Sequence, residues 1–300
     1  MRISADFLYE IDRLRNNNIK WKLAVLLVGA LMIFFAFGSS NEVVTGQYIA
    51  RVNIDGELKD DLDMLLTLGN IIQDKNIAGV VLHINSPGGS PYFSEEVYRS
   101  FRKVSEKGKP VVVVMGSVAA SGGYMIALAG DNIFAGETTV TGSIGAVMET
   151  IDASELSQKI GVKVKTYKYP PLKGEPSLTD KISPGGENAL QSVAIDIYEV
   201  FVGMVAERRK LSKDYLVKIA DGRIYTGRQA LKLKLIDKIG GEDEAVEWLY
   251  HEKKLPRMLK VKDYKIIKGS FFSREIFEPI AGIYSLYSSI INNGFMGQFN

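Results

Sequence analysis

The 300-residue chain contains no cysteine and only two histidines, His83 and His251. The first absence removes disulfides, zinc thiolates and a thiol nucleophile from consideration. The second leaves little material for a histidine-based triad, because His83 sits in the apolar run Ala78–Ile84 and His251 falls in a charged late helix, read as Glu242–Lys253. A surplus of one charge is also missing: 37 Lys and Arg face 35 Asp and Glu, for a net charge of +2. Composition therefore gives no footprint for a nucleic-acid partner.

Long uncharged apolar runs are scarce as well, and the one present is Leu23–Gly38, LAVLLVGALMIFFAFG. Sixteen helical residues rise about 24 Å against a hydrocarbon core of about 30 Å, and Lys20, Trp21 and Lys22 can extend the span at an interface. Arg2, Arg13, Arg15, Lys20 and Lys22 precede the run and no basic residue follows it before Arg51. The positive-inside rule then keeps the N-terminus in the cytoplasm and puts the rest of the chain outside. The resulting division is a cytoplasmic segment at 1–22, a transmembrane signal-anchor at 23–40, a linker at 41–47, a globular body at 48–255 and a C-terminal extension at 256–300. A cleaved signal peptide ending near Ala36-Phe37-Gly38 is the competing reading of the anchor. The apolar patches of 270–300 are interrupted by Arg274, Glu275, Glu278 and Pro279, which favours docking on the body, a partner subunit or the membrane surface over a second span.

Within the body, Tyr48–Ile54, Ala78–Ile84 and Pro110–Met115 read as strands. Leu62 to about Asp74 and Ser94–Glu106, with Ser94 as N-cap, read as helices, and Glu187–Arg209 reads as a long apolar helix. Strands alternating with helices at this spacing predict repeated βαβ units and a mostly parallel sheet. Ligand sites in such sheets lie beyond the carboxyl ends of the strands. Two glycine-rich stretches fall there, Asn85-Ser86-Pro87-Gly88-Gly89 and Ala119-Ala120-Ser121-Gly122-Gly123.

Ser121 occupies the second of these, at a corner between an apolar strand and an apolar helix that begins at Gly122 and Gly123. Helix first turns carry N–H groups without internal acceptors, so a hydroxyl at this corner is a candidate nucleophile. An N–H from Gly88 or Gly89 together with that of Gly122 would form an oxyanion hole, each donor contributing on the order of 3 kcal/mol to an acyl-transfer transition state. With histidine scarce, the base left is a lysine held neutral by burial.

Four blocks, NSPGG, GSVAASGGY, TGSIGAVM and the IADGRIYTGRQA of residues 219–230, together resemble the short bacterial form of the signal peptide peptidase A family. The resemblance covers about Tyr48 to Trp248. It implies an α/β fold like that of Clp protease and crotonase, a Ser–Lys dyad that needs no metal or cofactor, a ring-shaped homo-oligomer, and remnant signal peptides or other extended apolar peptides as substrate. By position it makes Ser121 the nucleophile, Gly89 and Gly122 the oxyanion hole, and Ser143 the residue that orients the catalytic lysine. For that lysine it selects Lys173, which follows Ser121 by 52 residues. Pro170, Pro171 and Gly174 depart from the family pattern around it. Periodicity alone leaves Lys168 as an alternative base: in a strand from Val162 to Tyr167 with Val162 and Val164 inward, Lys168 shares their side. Two rival readings use the same glycine hole or fold, namely a crotonase-like acyl-CoA enzyme and a non-catalytic membrane scaffold.

Overall fold

The computed structural model describes residues 46–265, together with Lys22 and residues 26–28. The anchor at 23–40, apart from 26–28, and the tail at 270–300 lie outside the described residues. In chain order the elements are β1 (Tyr48–Asp55), α1 (Leu62–Gln73), β2 (Ile77–Ser86), α2 (Pro91–Glu106), β3 (Val111–Ala120), α3 (Gly122–Ala127), β4 (Asn132–Ala135), β5 (Val140–Gly142), α4 (Ser154–Lys159), α5 (Pro184–Arg209), α6 (Lys213–Ile219), β6 (Ile224–Thr226), α7 (Gly227–Lys232), β7 (Lys238–Ile239), α8 (Glu242–His251) and β8 (Val261–Asp263).

The sheet runs β6-β5-β3-β2-β1-β8, with β4 pairing β3 and β7. Every pairing is parallel except β5 with β6. The mostly parallel α/β expectation is therefore met, and the sheet continues past residue 255 into β8. Parallel strands covered on both faces read as unbroken apolar runs, which is why β1 to β3 were visible in the sequence. One face packs α8 against Ile49, Val81, Val112, Val114 and Phe134 through Ala245 and Leu249.

Two boundaries differ from expectation in ways that matter for the site. The helix α2 starts at Pro91, with Ser90 rather than Ser94 as N-cap: Ser90 Oγ accepts from Phe93 N–H at 3.3 Å. Ser94 is instead fully buried in the helix, and its hydroxyl donates back to Ser90 O at 2.8 Å. The second difference is β3, which runs on to Ala120 where the sequence suggested an end at Met115. Its register against β2 jumps from Ile84↔Met115 to Ser86↔Ala119, so Gly116–Val118 bulge out of the ladder. Asn85 Oδ1 accepts from Val118 N–H at 3.2 Å and Thr139 Oγ1 donates to Gly116 O at 2.8 Å, which satisfies the bulged backbone. Below the bulge β3 pairs with β4, and above it with β5. The fork delivers Ser121 to the edge where the two glycine loops meet.

Among the described residues one helix, α5, is long and apolar enough to cross a membrane by length and composition. It carries Asp196 and Glu199 near its middle, and it meets the body through its last turns, where Phe201, Val202 and Val205 are buried.

Candidate active site

Ser121 holds φ 53° and ψ −122° between β3 and α3. A residue with a Cβ takes such a conformation only when its surroundings impose it, at a cost on the order of 1–3 kcal/mol. Here its N–H donates to Gly142 O and its C=O accepts from Met125 N–H, both at 2.9 Å. Close packing requires small neighbours: a Cβ on Gly123 would meet Ser86 O at 2.7 Å, and Ala119 is fully buried. Small residues two before and two after a serine on a sharp strand-to-helix turn are what a nucleophile elbow needs. The serine is half-buried, and among the described residues its Oγ has no hydrogen-bond partner.

The NSPGG loop lies directly against this corner. A Cβ on Gly88 would sit 2.8 Å from Gly122 N and 3.1 Å from Ser121 Oγ. The residues alone left Gly88 and Gly89 as alternative donors, the resemblance selected Gly89, and the hydrogen bonds of the two differ. Gly88 N–H donates to the buried Ser86 Oγ at 3.1 Å, and Gly88 O accepts from Leu58 N–H at 2.8 Å. Leu58 O in turn accepts from Ser90 N–H at 2.8 Å. Gly89 N–H stays outside these bonds, and the N–H of Gly122 heads a helix and has no intrahelical acceptor. Both positions exclude a side chain, since a Cβ on Gly89 would meet Leu58 O at 2.1 Å and one on Gly122 would meet Ser94 Oγ at 2.3 Å. Ser86 and Leu58 were given no role from sequence, and Ser94 was read as a helix cap rather than as a neighbour of Gly122. For Ser86 the signal was in plain view inside NSPGG.

Ser143 also has a positive φ, 51°, and its N–H donates to Arg223 O at 2.8 Å. Ala120 pairs with Gly142 in parallel register, so Ser121 and Ser143 each follow directly on the last paired residues of adjacent strands. The Asp221-Gly222-Arg223 turn, which links α6 to β6, thus holds the backbone just after β5 through Arg223 O. Past Ser143 a cleft of about 470 Å³ opens, lined among others by Ile144, Ala146, Ile195, Tyr198 and Val217.

The two lysines lie elsewhere, on an arm between β5 and α5. The expected strand Val162–Tyr167 does not form. Among the described residues no strand pairs with it, and Val162 and Val164 are 47% and 49% exposed. The parity that put Lys168 on an inward side therefore does not apply. Lys168 Nζ donates to Glu175 Oε1 at 2.9 Å, and Glu175 Oε2 accepts from Ser183 Oγ at 2.6 Å. These two partners, Ser183 first, hold the Glu175 carboxyl below the usual glutamate range. Lys173 is exposed, and among the described residues its ammonium has no ionic or hydrogen-bond partner. Within a single chain, neither lysine hydrogen-bonds Ser121. The histidines are occupied too: His83 Nε2 lies 2.8 Å from Glu242 Oε2, and His251 pairs with Glu247 at 3.2 Å.

Chemically, the corner suits acyl transfer, because a half-buried hydroxyl adjoins two N–H donors that have no acceptor among the described residues. Comparison with known proteins names the class. The Clp protease family model matches residues 50–139, and the model of peptidase family S49 matches residues 103–256. The chain belongs to peptidase family S49. It is 39% identical over 193 residues to an Enterococcus faecium protein named as a signal peptide peptidase SppA, covering 64% of this chain and 56% of that protein. It is 36% identical over 205 residues to a Synechocystis protein named as a protease, covering 68% and 74%. A Methanocaldococcus jannaschii protein, also named as a protease, is 32% identical over 267 residues, covering 83% and 84%. The chain thus spans just over half the length of the enterococcal relative and most of the other two. Family and names together support a serine-type peptidase.

Proposed function

We propose that the chain is a membrane-anchored serine endopeptidase, tethered by the 23–40 segment, that cleaves remnant signal peptides or other extended apolar peptides outside the cytoplasm. Ser121 Oγ attacks the scissile carbonyl carbon. A neutral Lys173 amine accepts the hydroxyl proton and passes it to the leaving amine, while Gly89 and Gly122 N–H groups hold the oxyanion. Ser143 orients the lysine. The observation that carries this reading is the strained backbone of Ser121, kept at φ 53° with Gly88 packed against it.

In this proposal the lysine comes from a neighbouring copy in a ring-shaped homo-oligomer. Lys173 rides an arm whose apolar residues face solvent in the single chain: Val147 is 81%, Ile151 73% and Ile160 66% exposed. A neighbour that covered them would supply the apolar enclosure a lysine needs to be neutral. Lys168 fits the role less well, because its ammonium is already committed to Glu175. The cleft beyond Ser143, with Ile144, Ile195, Tyr198 and Val217 on its walls, supports an apolar substrate side chain. The test is to treat the protein in detergent or lipid with a fluorophosphonate and map the adduct. Modification of Ser121, abolished in Ser121→Ala, is expected; modification elsewhere, or none, contradicts the assignment.

A further inference from the structure

The nucleophile helix α3 has a second set of contacts, at the end away from Ser121. It is six residues long, all buried, so it moves as one piece and a shift at its C-terminal end is a shift at Gly122. That end is held by two arginines. Arg208, from the last turn of α5, donates through Nε to Leu128 O at 2.8 Å and through a terminal nitrogen to Gly130 O at 2.9 Å. Arg102, from α2, donates to Ala129 O at 3.1 Å. Cations at the carbonyl end of a helix complement its dipole, but these two also repel one another. Burial, then the charge of Arg102, lowers the Arg208 pKa from its usual value. Asp131 faces Arg102 at 3.4 Å and partly offsets the concentration of charge.

The neighbouring residue completes the grip. Arg209 forks onto both oxygens of Asp237 at 3.0 and 2.8 Å and donates to Lys234 O at 2.8 Å. The turn so fixed carries Leu235 O, which accepts from the buried Tyr124 hydroxyl of α3 at 2.8 Å. Tyr124 also packs against Phe201 of α5, with ring centroids 6.4 Å apart. The end of α5 therefore holds the nucleophile helix at its middle and at its tip. The middle of α5 is exposed, with Val193 at 47%, Ile195 at 50% and Val200 at 46%, so its hold on α3 comes from its C-terminal turns.

We infer that Arg208 is a positioning residue for the peptidase centre, fixing α3 so that Ser121 and the Gly122 amide keep their reactive geometry. The inference rests on the serine reading above. Misplacement of about 1 Å at such a centre costs on the order of 100-fold in rate. Arg208→Gln, in the full-length protein, is expected to lower kcat and the second-order rate of Ser121 fluorophosphonate labelling by about 10- to 100-fold while KM changes less than about twofold. Arg208→Lys keeps the charge but cannot fork onto two carbonyls, so it should fall between Arg208→Gln and wild type. Ethylguanidinium should restore part of the labelling rate of Arg208→Ala. Thermal midpoint and assembly size are read for each variant. A folded Arg208→Lys and Arg208→Gln pair that label at the wild-type rate overturns the inference, as does a loss that tracks unfolding and is not relieved by ethylguanidinium. If Arg208→Gln fails to fold, Arg208→Lys and the ethylguanidinium rescue decide on the same criteria. A wild-type protein not labelled at Ser121 instead removes the serine assignment itself, so the two failures are distinct.

Discussion

The corner around Ser121 and the arm that carries Lys173 are built in opposite ways. At the corner every backbone group that fixes the turn is bonded, the flanking residues are buried, and a Cβ on Gly88, Gly89, Gly122 or Gly123 would overlap a neighbour. On the arm nearly every residue from 147 to 174 is exposed except in the short α4 region, and Gly161 and Gly174 have nothing within 4 Å. One half of the proposed dyad is thus preorganised by the fold of one chain. The other half is presented on a surface that the described residues leave uncovered. On the proposed reading, nucleophile and oxyanion donors, which tolerate little misplacement, are assigned to the sheet, and the base to a contact that completes it.

This contrast can be broken most directly by activity. Ser121→Ala and Lys173→Ala should each lower peptide hydrolysis by about 10⁴-fold or more, with thermal midpoints of the purified proteins close to wild type. Retained activity in Lys173→Ala together with loss in Lys168→Ala would move the base to Lys168. Next in size is a pair of glycine substitutions read by urea unfolding. Gly89→Ala forces a Cβ into Leu58 O at φ +152° and should destabilise by about 3 kcal/mol. Gly174→Ala, at φ +77° with open space around it, should cost about 1 kcal/mol, the backbone term alone. Equal costs would mean that the arm is as tightly packed as the corner.

Most of the corner was legible in the sequence, and for a physical reason. Parallel strands buried on both faces and glycines at their carboxyl ends leave local signatures, so Ser121, Gly122 and the Gly88-Gly89 pair could be located by texture and order, while the choice of Gly89 came from the family resemblance. What escaped was set by distant contacts. Gly116 reads as the end of a strand, but Asn85 and Thr139 supply side-chain bonds that let β3 continue to Ala120. Ser94 looks like a helix cap until Pro91 and Ser90 are seen to begin the turn earlier. The parity argument at Val162–Tyr167 presumed a ladder that the described residues do not supply. Arg208 reads as an ordinary last-turn cation, because its partners Leu128 and Gly130 lie some 80 residues away.

The smallest expected effect concerns acid. Burial pushes the Glu242 carboxyl up, but the hydrogen bond and charge of Arg51, with His83 adding to them, outweigh it and leave the group below its usual value near 4.5. A carboxylate depressed on folding contributes stability that is present above its unfolded pKa and lost as pH falls through the folded one. Wild type should therefore be more stable than Glu242→Gln above about pH 4.5, and the two should converge below it in thermal scans. Glu175 is depressed as well but belongs to the arm, so Glu175→Gln should leave the global melt unchanged at either pH. A melt that responded to Glu175 as strongly as to Glu242 would erase the distinction between the two regions.

The central claim, that the corner of one copy is completed by the arm of the next, is tested by co-assembling Ser121→Ala with Lys173→Ala. Each variant alone is expected to be inactive. In a closed ring with head-to-tail contacts, random mixing at equal amounts pairs an intact serine with an intact lysine from the next copy at about a quarter of the sites. Recovery of about a quarter of wild-type peptidase activity is the predicted result, and a mixed assembly of confirmed composition that stays inactive would contradict it.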